Sequence, residues 1–175
     1  MAANYFELLG LAPRFPVEER DLEARYHERS KLHHPDRHAR ADGATRVKSA
    51  LATSELNQAY RTLRDPVRRA EYLLKLNGID VSDEKSGKVA PDFLVEMMEL
   101  RERLQEARAA RDEREIARLA VEVRGKSEGA LDEIAAGFAA EALDRVAEAL
   151  VAHRYFRRFL DEIEAYEDAR AEEQP

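Results

Sequence analysis

Residues 31–41 read Lys-Leu-His-His-Pro-Asp-Arg-His-Ala-Arg-Ala, and this stretch separates two long helical patterns. The pattern before it predicts a helix over 17–33. That helix must end there because His34 precedes a proline, and a residue before proline is disfavoured in the helical conformation. The pattern after the stretch predicts a second helix over 41–63. The sequence therefore predicts an antiparallel helical hairpin closed by a short polar loop.

Apolar residues at helical spacing mark the inward faces of the two helices. They are Leu22 and Tyr26 on the first helix and Val47, Leu51, Ala59, Tyr60 and Leu63 on the second. Short helices flank the hairpin. One is the apolar opening at 5–9, and the other starts after Asp65 with Pro66 in its first turn, where the missing N–H of proline costs nothing.

The helical pattern stops over 77–90, between these N-terminal helices and a second helical region. Gly78 and Gly87 in this stretch predict an interdomain linker. Three helical stretches follow at about 91–109, 112–136 and 139–169, separated by the Arg111-Asp112 corner and by Gly137. We predict an all-α protein with an N-terminal domain over 1–76, a linker over 77–90, a three-helix bundle over 91–170 and a tail over 171–175.

The composition fits this fold class and excludes several function classes. Of 175 residues, 37% are charged and only 7 are Gly and 6 Pro, which is typical of solvated amphipathic helices. The chain has no Cys, so it has no disulfide framework, no Cys-ligated metal and no thiol nucleophile, and we expect it in the reducing cytoplasm. Its start lacks a signal-peptide pattern and no apolar run approaches about 18 residues, so we expect neither secretion nor a membrane span.

Charge is distributed unevenly along the chain. The first 76 residues carry 14 basic and 11 acidic side chains, whereas the remainder carries 15 basic and 25 acidic ones. An acidic larger half argues against nucleic-acid binding, which needs a positive face for phosphates. The asymmetry predicts two modules with different partners.

The loop His34-Pro35-Asp36, followed by Arg37, is suited to docking. Proline fixes the backbone, the imidazole lies near a helix C-terminus, and the carboxylate can pair with a cationic partner. A plain polar turn is the first alternative. The second is a metal cluster made by His33, His34, Asp36 and His38, although neither a helix-borne H-E-x-x-H nor a Cys pair is present to support it.

With its flanks, this half of the chain resembles a J-domain. The matching segments are the opening Tyr5-Phe6-Glu7-Leu8-Leu9-Gly10-Leu11, the run from Asn57 through Pro66, and Arg69-Ala70-Glu71-Tyr72. The resemblance implies that the loop stimulates ATP hydrolysis on a DnaK-class chaperone. It also implies a chaperone-facing surface made by His34, Pro35, Asp36, Arg25, Lys31 and Arg37.

The helix starting at Pro91 has two apolar faces on a wheel of about 100° per residue. One is the seam Phe93, Met97, Leu100 and Leu104, as expected for a helix in a small bundle. The other side carries Leu94, Val95 and Met98 beside Glu99, Glu102 and Glu106. Apolar residues on a solvent face need a partner, and the alternative is that the helix start is buried on both sides. On the last helix, Phe159 lies at the edge of the core stripe and can either close the bundle or extend this second face.

Over its whole length, the chain looks like an HscB-type co-chaperone of iron–sulfur cluster assembly. The segment from Asp65 through Leu74, followed by Leu76-Asn77-Gly78, carries that narrower resemblance. It implies two protein partners, an IscU-type cluster scaffold and an HscA-type ATPase of the DnaK class. It also implies scaffold contacts at Leu94, Val95, Met98, Glu99, Glu102, Glu106 and Phe159.

We therefore expect an adaptor that makes and breaks no bonds, with no metal or nucleotide cofactor of its own. It would bind the scaffold, deliver it to the chaperone and stimulate the chaperone's ATPase. Two other classes stay open. A general J-protein would recruit unfolded clients through the apolar face, and a metal-dependent hydrolase would hold zinc at His34, Asp36 and His38.

Overall fold

The structure, a computed structural model, describes residues 4–33, 42–81 and 90–173, and all its regular elements there are helices. The chain divides into two compact units, 1–77 and 78–175. The helices are α1 (Tyr5–Leu9), α2 (Glu19–His33), α3 (Gly43–Arg64), α4 (Pro66–Leu76), α5 (Pro91–Ala110), α6 (Glu113–Ala139) and α7 (Leu143–Glu173). The predicted all-α fold is confirmed. No helix of the described residues is both long and apolar enough to cross a membrane.

In the first unit, α1 is a short capped helix held against α4. The Asn4 side chain accepts from the backbone N–H of Glu7, and Gly10 ends the helix at φ 68°. Phe6 is fully buried. The Tyr5 ring stacks on Tyr72 at 4.4 Å between ring centroids, and the Tyr5 backbone N–H donates to the Tyr72 hydroxyl at 2.9 Å. This anchoring defines where α4 lies beside the hairpin.

Helices α2 and α3 form the predicted antiparallel hairpin. The Tyr26 hydroxyl donates to Asn57 at 2.7 Å and its ring stacks on Tyr60 at 4.2 Å, whereas near the other end Arg64 reaches Glu19 at 3.3 Å. Early residues of α2 thus meet late residues of α3, and the pairing runs in opposite directions. The side chain of Asp65 then caps α4, accepting from the backbone N–H groups of residues 67 and 68.

Two predicted core positions of α3 are wrong. Val47 is 60% exposed and Leu51 is 61% exposed. The residues of α3 that are buried are Ser49, Leu56, Ala59 and Leu63. Ser49 and Leu56 are seven residues apart and share a face, and Val47 and Leu51 lie roughly 160° around the helix from it. A small polar residue packs inward in the first half of α3, and the two larger apolar residues are left outside.

The second unit is a three-helix bundle with one continuous core. Its buried residues are Met97, Leu100, Leu104, Ala107, Ile116, Leu119, Val123, Ala130, Phe156, Phe159 and Ile163. The predicted corner is confirmed, because Arg111 adopts a left-handed conformation at φ 53° and Asp112 caps α6. The inward seam predicted for the first of these helices is also confirmed, with Phe93 partly buried against the core.

The predicted break at Gly137 is wrong. Gly137 is buried inside α6, which continues to Ala139, and the turn falls at residues 140–142 with Glu141 at φ 55°. Glycine is present because α7 passes close to it, and a Cβ at this position would lie 2.7 Å from a methyl carbon of Val146. At its other end α7 extends to Glu173, so residues 171–173, expected in the tail, are helical.

We expect Gly137→Ala to destabilise the bundle by about 1–2 kcal/mol, because overpacking against Val146 outweighs the gain in helix propensity. Gly129→Ala is the matched control, since a Cβ there meets nothing within 4 Å. It should stabilise the protein by about 1 kcal/mol. Urea unfolding followed by circular dichroism measures both. Equal stabilisation by the two variants would contradict the close approach of α7 to Gly137.

The predicted linker is only partly covered by the structure, since residues 82–89 lie outside the described ones. The boundary between the two units falls between Asn77 and Gly78. Val81 is buried, and its carbonyl accepts a hydrogen bond from the Arg154 guanidinium of α7. The early part of the predicted linker is therefore fastened to the second unit.

Candidate functional site

The His34-Pro35-Asp36-Arg37 loop lies outside the described residues, and so does most of the alternative metal cluster, with His38. The described helices bracket the loop: α2 ends at His33 and α3 begins after its cap, Asp42. The backbone N–H of Thr45 donates to the Asp42 carboxylate at 2.7 Å and holds the pKa of that group below its ordinary value. Among residues 4–33, 42–81 and 90–173, no group of three or more His, Cys, Asp or Glu side chains is placed to hold a metal.

Arg25, expected on the chaperone-facing surface of α2, is engaged within the first unit. Its Nε lies 2.8 Å from Asp21, and one terminal nitrogen donates to the Gly10 carbonyl at 2.5 Å. The guanidinium thus ties the C-terminal turn of α1 to α2, a role that the charge pattern did not indicate. Lys31, the second cation expected there, is exposed near the end of α2, next to the loop.

The outward face of α5 carries three exposed apolar side chains. Leu94 is 42% exposed, Val95 54% and Met98 70%. We call these three residues, together with the exposed carboxylates Glu99, Glu102 and Glu106, the α5 patch. The alternative that this helix is buried on both sides is wrong, and the two-faced interpretation is confirmed.

Ion pairs and ring contacts fix which side of α5 faces solvent. On the α6 side, Lys126 binds Glu96 at 2.6 Å, and Arg103 binds Glu115 at 2.9 Å and Glu122 at 3.0 Å. The guanidinium of Arg103 donates hydrogen bonds to these two carboxylates, and these bonds, that to Glu115 first, raise the pKa of Arg103 above its ordinary value.

On the α7 side, Phe93 meets Tyr155 and Phe156 edge-on at 5.6 and 5.5 Å between ring centroids, and Arg108 reaches Glu162 at 2.8 Å. With both edges of α5 fastened, the α5 patch is held outward on a fixed helix. Sequence analysis missed these contacts. The available signal was the spacing of Glu96 and Arg103, seven residues apart and so on one side of the helix.

The carboxylates of the α5 patch differ from those that hold α5 in place. Glu96, Glu115 and Glu122 are paired with cations of neighbouring helices. Across the described residues, by contrast, Glu99, Glu102 and Glu106 form no ion pair. These carboxylates lie beside an apolar strip and are free to pair with cations, an arrangement that suits a basic and partly apolar protein surface.

Phe159 does not extend the α5 patch. It is only 2% exposed and belongs to the core cluster of the second unit. The expectation of a direct scaffold contact at Phe159 is therefore corrected, since its ring is part of the bundle core. In the sequence this residue lies at the edge of the apolar stripe, so it could either close the bundle or extend the α5 patch. The packing of the three helices buries it.

Comparison with known proteins identifies both halves of the chain. Residues 4–72 match the model of the DnaJ domain, and residues 89–164 match that of the HSCB C-terminal oligomerisation domain. The co-chaperone protein HscB homolog of Neisseria meningitidis is 34% identical over 161 residues, 92% of this chain and 97% of that protein. The chain belongs to the HscB co-chaperone family. The HscB homolog of an Azoarcus species is 36% identical over 157 residues, 90% of this chain and 86% of that protein.

Solved structures agree with this membership. Chaperone HscB from Vibrio cholerae superposes with a TM-score of 0.78 at 32% identity, covering 95% of this chain and 99% of that one. Human co-chaperone protein HscB gives a TM-score of 0.82 at 28% identity, covering 95% and 83%. The resemblance seen in the sequence is thus confirmed, and with it a J-domain co-chaperone function in iron–sulfur cluster assembly. The family is one of non-enzymatic J-domain proteins.

Proposed function

We propose that this co-chaperone binds a folded IscU-type scaffold protein through the α5 patch and delivers it to an HscA-type ATPase, whose hydrolysis it stimulates through His34-Pro35-Asp36. The observation that carries the scaffold half of the proposal is the exposure of Leu94, Val95 and Met98 on a helix fastened at both edges. The absence of cysteine in 175 residues supports action in a reducing compartment, the cytoplasm.

Binding at the α5 patch has a clear physical basis. Fully burying one Leu, Val or Met side chain contributes about 1.5–3 kcal/mol, and a strip of three such residues can supply the centre of an interface. Methionine adapts its shape to a partner surface. The carboxylates of Glu99, Glu102 and Glu106 would steer a basic partner and raise its association rate.

A rigid α5 patch favours a folded partner over unfolded clients. Arg103 and Lys126 hold one edge of α5 and Phe93 the other, so the apolar strip and its carboxylates keep a fixed spacing. A fixed arrangement of charge and apolar surface selects one complementary shape. A recruiter of varied unfolded chains would be better served by a flexible surface.

The chaperone half of the proposal rests on the loop and its basic neighbours. Arg37 follows His34-Pro35-Asp36 directly in the sequence, and Lys31 precedes the motif by three residues. We assign Arg25 a smaller part, because its guanidinium is occupied by Asp21 and the Gly10 carbonyl. With one partner on each unit, the protein acts as an adaptor that raises the effective concentration of the scaffold at the ATPase, and it makes and breaks no bonds itself.

The proposal is tested by the steady-state ATPase rate of an HscA-type chaperone with this protein, with an IscU-type scaffold, and with both. We expect the rate with both to exceed the sum of the separate stimulations. An ATPase rate that does not change when the scaffold is added, but increases with a reduced, denatured polypeptide, would instead indicate a general J-protein. No stimulation under any condition would contradict the chaperone half.

A further inference from the structure

The side of α5 that faces α7 carries exposed charge opposite in sign to the carboxylates of the α5 patch. Arg101 is exposed, and across the described residues it forms no ion pair. It lies seven residues before Arg108, so the two arginines share one side of the helix. Arg108 faces α7, because it binds Glu162 at 2.8 Å. Arg101 therefore lies on the α7 side of α5, with its guanidinium open to a partner.

A second exposed arginine lies on the facing side of α7. Tyr155 of α7 meets Phe93 of α5 at 5.6 Å between ring centroids. Seven residues later, Glu162 binds Arg108. Arg158 lies three residues after Tyr155 and four before Glu162, so it shares their side of α7, the side toward α5. Arg158 is exposed there.

The two arginines occupy the same stretch of the boundary between α5 and α7. Arg101 lies eight residues after Phe93 and seven before Arg108, and Arg158 lies between the α7 partners of those two residues. We call Arg101 and Arg158 the boundary arginines. They suit a carboxylate of a partner, because each guanidinium offers a planar fork of hydrogen-bond donors that matches a carboxylate.

The apolar strip of the α5 patch separates the boundary arginines from the carboxylates. On a wheel of about 100° per residue, Leu94 and Met98 lie within about 60° of Arg101. Glu99 and Glu106 lie beyond them, roughly 140–160° around the helix from Arg101. The strip is therefore bordered by positive charge toward α7 and by negative charge toward α6.

Neighbouring ion pairs leave this polarity in place. Toward α7, a salt bridge joins Arg108 to Glu162. Toward α6, the cations of Arg103 and Lys126 are bound to carboxylates across the boundary between α5 and α6. Opposite charges within these pairs offset each other. The sign of each side is therefore set by groups outside the pairs, Arg101 toward α7 and the carboxylates of the α5 patch toward α6.

We propose that the scaffold binds this surface in one orientation, with basic groups against the carboxylates of the α5 patch and an acidic side chain on the boundary arginines. This inference rests on the proposed function and deepens it, because it specifies the charge pattern of the partner. A reversed partner would set like charges against each other on both sides of the strip, which disfavours binding. The boundary arginines are thus specificity-determining residues for the scaffold.

The test is isothermal titration calorimetry of the full chain with an IscU-type scaffold. Arg101→Glu and Arg158→Glu should each weaken binding about tenfold, because each sets a carboxylate against the acidic group of the partner. The matched control is Arg124→Glu on α6, where the arginine is exposed and forms no ion pair across the described residues. It makes the same change in net charge and should alter affinity by no more than about twofold. Urea unfolding checks that all three variants are folded.

Salt dependence gives an independent measure of the charge effect. The difference in affinity between Arg101→Glu and Arg124→Glu should shrink several-fold between about 0.05 M and about 0.5 M salt, because salt screens interactions between exposed charges. A difference that salt leaves unchanged would show that packing of the arginine side chain, and not its charge, is responsible, and it would overturn the proposal.

The sign of the Arg101→Glu effect separates this inference from the proposed function. Tighter binding would show that the scaffold presents basic groups on both sides of the strip, which overturns the inference and leaves the proposed function intact. An effect equal to that of Arg124→Glu, or an Arg158→Glu variant that binds like wild type, also overturns the inference. A wild-type chain that does not bind the scaffold would contradict the proposed function itself, and the inference with it.

Discussion

Replacing His34 by Gln should reduce stimulation of the chaperone ATPase to the level of the chaperone alone while leaving scaffold affinity unchanged. The proposed reason is that the imidazole of His34, which directly precedes Pro35 in the sequence, contacts the ATPase directly. Gln has similar size and polarity but lacks the imidazole ring. The α5 patch lies in the other compact unit, so its affinity for a scaffold does not depend on this side chain. Steady-state ATPase rates and isothermal titration calorimetry give the two readouts.

The matched control is His27→Gln, which makes the same change seven residues earlier on α2. His27 is exposed and contacts Glu23 at 3.7 Å on the same helix. Loss of such a surface contact changes stability by no more than about 0.5 kcal/mol, so stimulation should persist. An equal loss of ATPase stimulation in both variants would indicate a general effect on α2. A parallel fall in scaffold affinity for His34→Gln would refute the division into two independently acting units.

Much of the fold follows from local patterns in the sequence. The capping Asp65 and the Arg111-Asp112 corner each act on a few neighbouring residues, and the helix ends they predict agree with the structure. The seam of Met97, Leu100 and Leu104 follows from helical periodicity in the same way.

The misses depend on packing between helices, which periodicity within one helix does not contain. Gly137 resembles a helix stop, but it is a point of close approach to Val146. Phe159 was ambiguous at the edge of its stripe, and its burial depends on how the three helices pack together. Val47 and Leu51 are exposed although they are larger and more apolar than Ser49, because α2 packs on the other side of α3.

The features of the candidate site fall into the same two groups, those that follow from one helix and those that depend on contacts between segments. The exposure of Leu94, Val95 and Met98 was predictable from one helical wheel, because another side of α5 carries a continuous apolar seam that packs into the core. The engagement of Arg25 by the Gly10 carbonyl was not, because it joins residues 15 apart across a turn of irregular chain. Cations on a helix surface can be counted from the sequence, but their availability to a partner depends on tertiary contacts.

Replacing both Leu94 and Met98 by Ala should weaken scaffold binding by about 3 kcal/mol, or roughly 100-fold, because the two largest exposed apolar groups of the α5 patch would form the interface centre. Folding should be almost unaffected, since both side chains are exposed and Ala is the best helix former. Calorimetric titration with the scaffold and urea unfolding measure the two effects. The matched control is the double variant Val47→Ala with Leu51→Ala, which removes two equally exposed apolar side chains from α3 of the other unit. It should leave scaffold affinity unchanged, and a comparable loss would mean that the scaffold does not bind at the α5 patch.

Phe159→Ala tests whether Phe159 contacts the scaffold directly or stabilises the bundle from within its core. Its ring is buried in the core of the second unit, so the substitution should cost about 3–5 kcal/mol of unfolding free energy. Scaffold binding should then fall in proportion to the fraction of protein that is unfolded or loosened, and it should recover on cooling or in a stabilising osmolyte. Leu94→Ala with Met98→Ala should show the opposite behaviour, with full stability and a loss of affinity that no stabilising condition restores. If Phe159→Ala instead kept its stability and lost affinity, the ring would be reaching the scaffold directly, and the burial of Phe159 in the bundle core would not describe the protein in solution.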